Sequence, residues 1–123
     1  MDEWESRRSD GYKKYRQEWY NNPKNNLLND FPIHLDIEAT SACNFLCTMC
    51  PRTEMMEKKT FWKVENFDMK SYENIITTGV PLGLKSVKFQ YLGEPLVNKH
   101  LVKMIKFAKK AGVVDVMFNT NAS

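Results

Sequence analysis

The chain has 123 residues, of which 42% are hydrophobic and 12% aromatic, enough for a real core and too much for a disordered tail. Eighteen lysines and arginines against 15 aspartates and glutamates leave a formal charge of +3, too weak a bias to argue for nucleic acid. No apolar run approaches the ~18–20 residues that cross a bilayer. The start, Met1-Asp2-Glu3-Trp4-Glu5, lacks the basic-then-apolar order of a secretory signal. No membrane partner is therefore expected, and the expected compartment is the cytoplasm, where thiols stay reduced.

Residues 1–30 interleave Trp4, Tyr12, Tyr15, Trp19 and Tyr20 with Arg7, Arg8, Lys13, Lys14 and Arg16. Tyr12, Tyr15 and Trp19 have helical spacing, which predicts a helix over about 11–20, ended by Asn21-Asn22-Pro23. An aromatic-basic mixture can bind single-stranded nucleic acid. Here Asp2, Glu3, Glu5, Asp10 and Glu18 nearly cancel the charge, which favours an amphipathic helix packed on the following domain. Residues 1–30 thus read as a helical N-terminal extension and 31–123 as the core domain.

From residue 31 strand and helix signals alternate. Ile33 to Ala39 alternates apolar and polar residues, as a strand does, and a loop carrying all three cysteines follows. Asp68 is a good N-cap for a helix from Met69 to about Thr78, with Met69, Tyr72, Ile75 and Ile76 on one face. Gly79, Pro81 and Gly83 break it. Ser86 to Leu92 predicts a second strand, closed by Gly93-Glu94-Pro95. A helix over about Asn98 to Ala111 turns Leu101, Ile105 and Ala108 inward and stops at Gly112. Its Lys99, Lys103, Lys106, Lys109 and Lys110 read as a solvated face. Val113 to Phe118 predicts a third strand, followed by Asn119-Thr120-Asn121. The order β-α-β-α-β with helical crossovers implies an α/β fold with parallel neighbouring strands.

The unusual clusters all fall just after a predicted strand: Cys43 to Cys50 after the first, Gly93-Glu94-Pro95 after the second, Asn119 to Ala122 after the third. Parallel sheets and barrels build their sites at that edge, so the three clusters should converge. The spacing C-x3-C-x2-C asks for a soft metal centre, zinc or iron–sulfur. A closed cubane takes four cysteines; with only Cys43, Cys47 and Cys50 in the chain, one iron would stay open, as catalytic metal sites do. A thioredoxin-like pair, Cys47 and Cys50, would leave Cys43 unexplained, and no immediate helix is predicted to follow it. A zinc site completed by His34 or His100 lacks the close paired spacing zinc prefers.

On these residues the sequence resembles the radical S-adenosylmethionine (radical SAM) enzymes. The cysteine motif, Gly93-Glu94-Pro95 and Thr120-Asn121-Ala122 carry the resemblance, which covers about residues 31–123. The stretch from His34 to Arg52 is most similar to the branch with a C-terminal auxiliary cluster domain, the SPASM or twitch type. The resemblance implies the N-terminal half of a partial TIM-type (β/α)6 barrel. It implies that Cys43, Cys47 and Cys50 each ligate one iron of a 4Fe-4S cluster, with S-adenosylmethionine on the fourth. Met49 would lie against the adenine, where many members place an aromatic residue; methionine keeps a flexible apolar surface there. Gly93-Glu94-Pro95 matches the segment whose backbone receives the substrate amino group, with Leu92 in place of the first of the family's usual glycines. Thr120 and Asn121 match a segment lining the same pocket, and Arg52 lies either near the cluster or in solvent.

The implied activity is an oxidoreductase-type radical reaction. A low-potential flavodoxin- or ferredoxin-like donor reduces the cluster, S-adenosylmethionine is cleaved, and a 5′-deoxyadenosyl radical takes hydrogen from a peptide or small-molecule substrate. No acid–base side chain is required for the first step, so none is assigned as catalytic. Such a barrel needs at least about six strands, and a full eight-stranded one takes ~200–250 residues; three are legible here, so the chain reads as a truncated core. The rival reading is a non-catalytic zinc- or nucleic-acid-binding module using the cysteine loop and the aromatic-basic N-terminus.

Overall fold

Hydrophobic alternation along three short strands dictates a sheet with one oily face and one polar face, and the computed structural model has that sheet. It describes residues 3–60 and 63–123; Met1 and Asp2 of the N-terminal extension lie outside the described residues. The elements run α1 (Glu3–Ser6), α2 (Asp10–Lys24), β1 (His34–Ile37), α3 (Pro51–Glu57), α4 (Met69–Gly79), β2 (Ser86–Phe89), a 3-10 turn (Pro95–Val97), α5 (Leu101–Ala111) and β3 (Asp115–Phe118). The sheet order is β1-β2-β3, with both pairs parallel.

Register aligns Leu35 with Val87 and Val87 with Val116, and Ile37 with Phe89. These residues form one face, and they pack with Tyr72, Ile76, Leu101, Met104 and Ala108 of α4 and α5 into the core. The Tyr72 hydroxyl, fully buried, donates to the Met104 carbonyl at 3.0 Å, which meets the cost of burying it. Burial pushes its pKa far up. Asp68 caps α4 by accepting from the Ser71 amide at 2.8 Å, which satisfies one of the free N–H groups of the first turn. Gly112, with φ of 105°, closes α5 in the left-handed conformation that favours glycine.

The opposite face is polar: His34, Ser86 and Asp115 share one register row, Asp36, Lys88 and Met117 the next. Helix α2 crosses its lower end. The Trp19 ring stands edge-on to His34 at 5.0 Å, Tyr15 lies beside Ser86, Tyr12 lies near Asp115, and a Cβ on Gly11 would lie 3.3 Å from Val114. One helical turn advances about 5.4 Å and neighbouring strands lie about 4.8 Å apart. Successive turns of α2 therefore meet the starts of β1, β2 and β3, and the spacing of Tyr12, Tyr15 and Trp19 is the imprint of the strand spacing. Arg8 lies over Trp4 and Tyr12 at 5.2 and 5.5 Å, and Arg16 over Tyr20 at 5.0 Å. These aromatic faces are engaged within the segment itself.

Several boundaries differ from the sequence reading. Helix α2 does not stop at Asn21-Asn22-Pro23 but continues to Lys24. Proline removes one N–H, yet the Asn25 backbone and side chain both donate to the Asn21 carbonyl and close the last turn. The strands are shorter than the alternation suggests: the ladders close with the Gln90 amide on the Ile37 carbonyl and the Asn119 amide on the Phe89 carbonyl, and the Ala39 carbonyl then accepts from Phe67 and Asn98 instead. Helix α5 starts at Leu101, since Asn98 turns its side chain to the Ala39 carbonyl at 2.6 Å. Met104, fully buried on α5, belongs to the inward face together with Leu101 and Ala108. Contrary to expectation, helix α3 follows Cys50 at once, with Pro51 in its first turn, where a missing N–H costs nothing. The thioredoxin-like reading therefore loses one of its two objections; Cys43 remains the other.

Candidate functional site

Past Ile37, Ala39 and Thr40 stay buried, and the chain is pinned from the side by residues 65–67. The Phe67 amide donates to the Ala39 carbonyl at 3.0 Å and the Ser41 amide to the Glu65 carbonyl at 2.9 Å. The Thr40 hydroxyl donates to the same carbonyl at 3.2 Å and accepts from the Ala42 amide at 3.1 Å. Arg52 is buried, not solvent-facing, and its Nε donates to the Ser41 carbonyl at 2.9 Å. The root of the cysteine loop is thus tied to the helix that ends it.

The loop itself is open. Cys43 and Cys50 are half-buried and Cys47 is exposed, all as free thiols. The Cys50 amide donates to the Cys47 carbonyl at 3.0 Å, and the Phe45 amide points to Cys43 Sγ at 3.4 Å. Phe45, Leu46 and Met49 expose apolar side chains, Met49 to 85%, so Met49 is open to solvent rather than packed. Nor do those residues gather three His, Cys, Asp or Glu side chains closely enough to hold one metal ion. A single zinc holds its thiolates at about 2.3 Å each, whereas a cubane takes each on a different iron. By donor type, three free thiols on one accessible loop suit a soft metal centre.

Gly93 lies against the end of β1: a Cβ there would fall 1.8 Å from the Thr40 carbonyl oxygen. The Leu92 and Gly93 amides both donate to Glu38 Oε1, at 2.9 and 3.2 Å, and the Glu94 amide donates to the Ala42 carbonyl at 2.8 Å. Glu94 is buried, with Pro95 beside it. Its Oε1 accepts from the Leu96 amide at 3.0 Å and its Oε2 from the Asn121 amide at 2.7 Å. The Asn121 side-chain amide reaches Asn44 Oδ1 at 2.9 Å and Cys43 Sγ at 3.9 Å. The three strand-end clusters therefore meet: the first turn of the cysteine loop, Gly93-Glu94-Pro95 and Thr120-Asn121 form one bonded assembly. Cys47 and Met49 stand outside it.

Burial raises the Glu94 carboxyl, but hydrogen bonds from the Asn121 and Leu96 amides and the Thr120 hydroxyl outweigh it and hold the pKa below the usual carboxylate range. Stability from this strap is full above the unfolded carboxyl's pKa, about 4.3, and is lost as pH falls through the lower folded value. An NMR titration of the Asn121 amide should stay flat down to about pH 4.3 and break only below it; a break near pH 6 would contradict the assignment.

Residue types alone did not single out Glu38, Asn98 or the burial of Arg52. Glu38 had a signal, as the last polar position of the alternation His34, Asp36, Glu38. The polar face continues past the strands: Gln90 Nε2 donates to Asp36 Oδ1 at 2.9 Å, and Asn119 Nδ2 to Gln90 Oε1 at 3.0 Å. A groove of about 850 Å³ lies elsewhere, under α2, lined by Trp19, Pro23, Leu27, Leu28, Phe31 and His34. It is mostly apolar and carries none of the cysteines.

The chain can now be set against known proteins. No protein-family model matches it. The crystal structure of BtrN in complex with AdoMet and 2-DOIA is similar at a TM-score of 0.56 and 18% identity, over 76% of this chain and 37% of that one. Over that span the chain shares the fold of BtrN. At this identity the likeness is one of fold, and the chain spans little more than a third of BtrN's length. Among the described residues no helix is long and apolar enough to cross a membrane.

Proposed function

We propose that this chain is the N-terminal part of the core of a radical SAM enzyme, of the SPASM or twitch type, in which Cys43, Cys47 and Cys50 hold a 4Fe-4S cluster. The observation that supports this best is the bonded assembly at the strand ends. There Glu94 and Asn121 tie Gly93-Glu94-Pro95 and Thr120-Asn121 to the root of a loop bearing three free thiols. When bound, the cluster and S-adenosylmethionine supply reductive cleavage to a 5′-deoxyadenosyl radical that takes hydrogen from a substrate. The chain's own residues supply placement. Cys43, in the half-buried first turn, sits beside the Asn121 amide, a donor suited to a thiolate. Cys47, exposed, and Cys50, the N-cap residue of α3, present the other two thiols. In this reading Met49 offers apolar surface to the adenine, and Thr120 and Asn121 line the pocket of Gly93-Glu94-Pro95. The partners of this reading are a flavodoxin- or ferredoxin-like donor and a peptide or small-molecule substrate, in the cytoplasm.

Anaerobic reconstitution with iron and sulfide tests it. The expected product is a brown protein with about four irons per chain, whose spectrum changes on addition of S-adenosylmethionine. A colourless protein with one tightly bound zinc would sink the reading in favour of a zinc module.

A further inference from the structure

Glu38 is half-buried at the end of β1 on the polar side of the strand, and a single oxygen of its carboxylate accepts from two consecutive amides, Leu92 and Gly93. No peptide bond in the chain is cis. In a trans peptide the N–H and the C=O of the same plane point in opposite directions. With both N–H groups drawn to Glu38, the carbonyls that share their planes, those of Tyr91 and Leu92, are turned away from it. Among the described residues no group donates to either carbonyl. Two adjacent, oriented and unfilled carbonyl oxygens are a receptor for a donor with several N–H bonds, such as an ammonium group. The second constraint on this turn is Gly93 itself, seated against the Thr40 carbonyl with no room for a Cβ. Glycine lets the turn approach β1, and Glu38 sets the orientation of its peptide planes.

We propose that Glu38 is a positioning residue. It holds the Leu92 and Gly93 amides so that the Tyr91 and Leu92 carbonyls are preorganised to receive the amino group of the ligand bound at the strand ends. This inference rests on the proposed function for the identity of that ligand, S-adenosylmethionine, but the hold on the two amides does not. The carboxylate acts through the two amides it accepts, from the side of the turn opposite the carbonyls.

The test uses the whole chain with two variants, Glu38→Ala and Glu38→Gln. Glutamine keeps a carbonyl oxygen able to accept two N–H bonds, whereas alanine keeps none. In the chain without added iron, hydrogen exchange at Leu92 and Gly93 should quicken about tenfold in the alanine variant and stay close to the parent in the glutamine variant. After reconstitution, iron content should match in all three proteins. The S-adenosylmethionine Kd, read from the perturbed cluster EPR signal, should rise about tenfold for alanine and much less for glutamine. An analogue lacking the α-amino group should bind parent and alanine variant alike. Unchanged exchange at Leu92 and Gly93 overturns the proposal, as does an unchanged Kd beside quickened exchange, or an equal loss for the analogue. A parent chain that loads four irons yet ignores S-adenosylmethionine overturns both this role and the proposed function. Its exchange data would still show whether Glu38 holds the turn, which separates the two failures.

Discussion

Cys47→Ala should leave the fold intact and abolish cluster binding. The Cys47 side chain is exposed, and only its backbone takes part in the loop, accepting from the Cys50 amide at 3.0 Å. Removing the thiol therefore takes nothing from the core, and far-UV circular dichroism and the denaturation midpoint should match the parent. Iron is another matter. A cubane normally has four cysteine ligands, the chain has three, and two do not hold it stably. Anaerobic reconstitution of the variant should return close to no iron, against about four per chain for the parent. Stoichiometric iron in Cys47→Ala would count against the assignment of all three cysteines.

Gly93→Ala should have the opposite signature, a large loss of stability with every ligand thiol still present. The added Cβ would lie 1.8 Å from the Thr40 carbonyl oxygen and 2.8 Å from that of Ala42. Both atoms are backbone, in a segment fixed by Phe67 and Glu65, so no side-chain rotation relieves the contact. The turn has to move away from β1, and that breaks the bonds to Glu38 and the Glu94–Ala42 link. Together these should cost on the order of 3–5 kcal/mol, visible as a fall in the urea midpoint. Gly11→Ala is the control. Its Cβ would lie 3.3 Å from one methyl of Val114, and alanine's better helix propensity, up to about 1 kcal/mol, offsets that contact. A Gly93→Ala protein as stable as Gly11→Ala would mean that the turn is not seated as described.

The two substitutions separate what a short motif can announce from what only packing makes necessary. Cys43, Cys47 and Cys50 are legible because soft-metal chemistry needs thiols at short spacing, whatever surrounds them. Asp68, Gly112 and the inward faces of α4 and α5 are legible for a similar reason, since capping and helical periodicity are local rules. Gly93 could be noted in sequence as the stop of a strand and as part of a resemblance. Its physical necessity lies in the Thr40 carbonyl, more than fifty positions away in the chain. Helix α3 escaped because its seven residues, Pro51–Glu57, are too few for a periodic pattern, leaving Pro51 as the main local sign of a start.

The chain of 123 residues and its three cysteines determined by themselves the alternation of strands and helices and the parallel order that such alternation demands. They also placed every chemically unusual cluster at the end of a strand. These are consequences of period, spacing and residue type, which act over a few positions. Tertiary structure alone decided which atoms in those clusters meet. It committed both Glu94 oxygens to the turn and to Asn121, drew two amides of the next turn to Glu38, buried Arg52 under Ser41, and laid α2 across the first residues of all three strands. Hydrogen bonds such as those of Glu38 with Leu92 and Gly93, 54 and 55 positions apart, leave no periodic trace. They depend on strand register and on which carbonyls and amides the sheet leaves unpaired at its end.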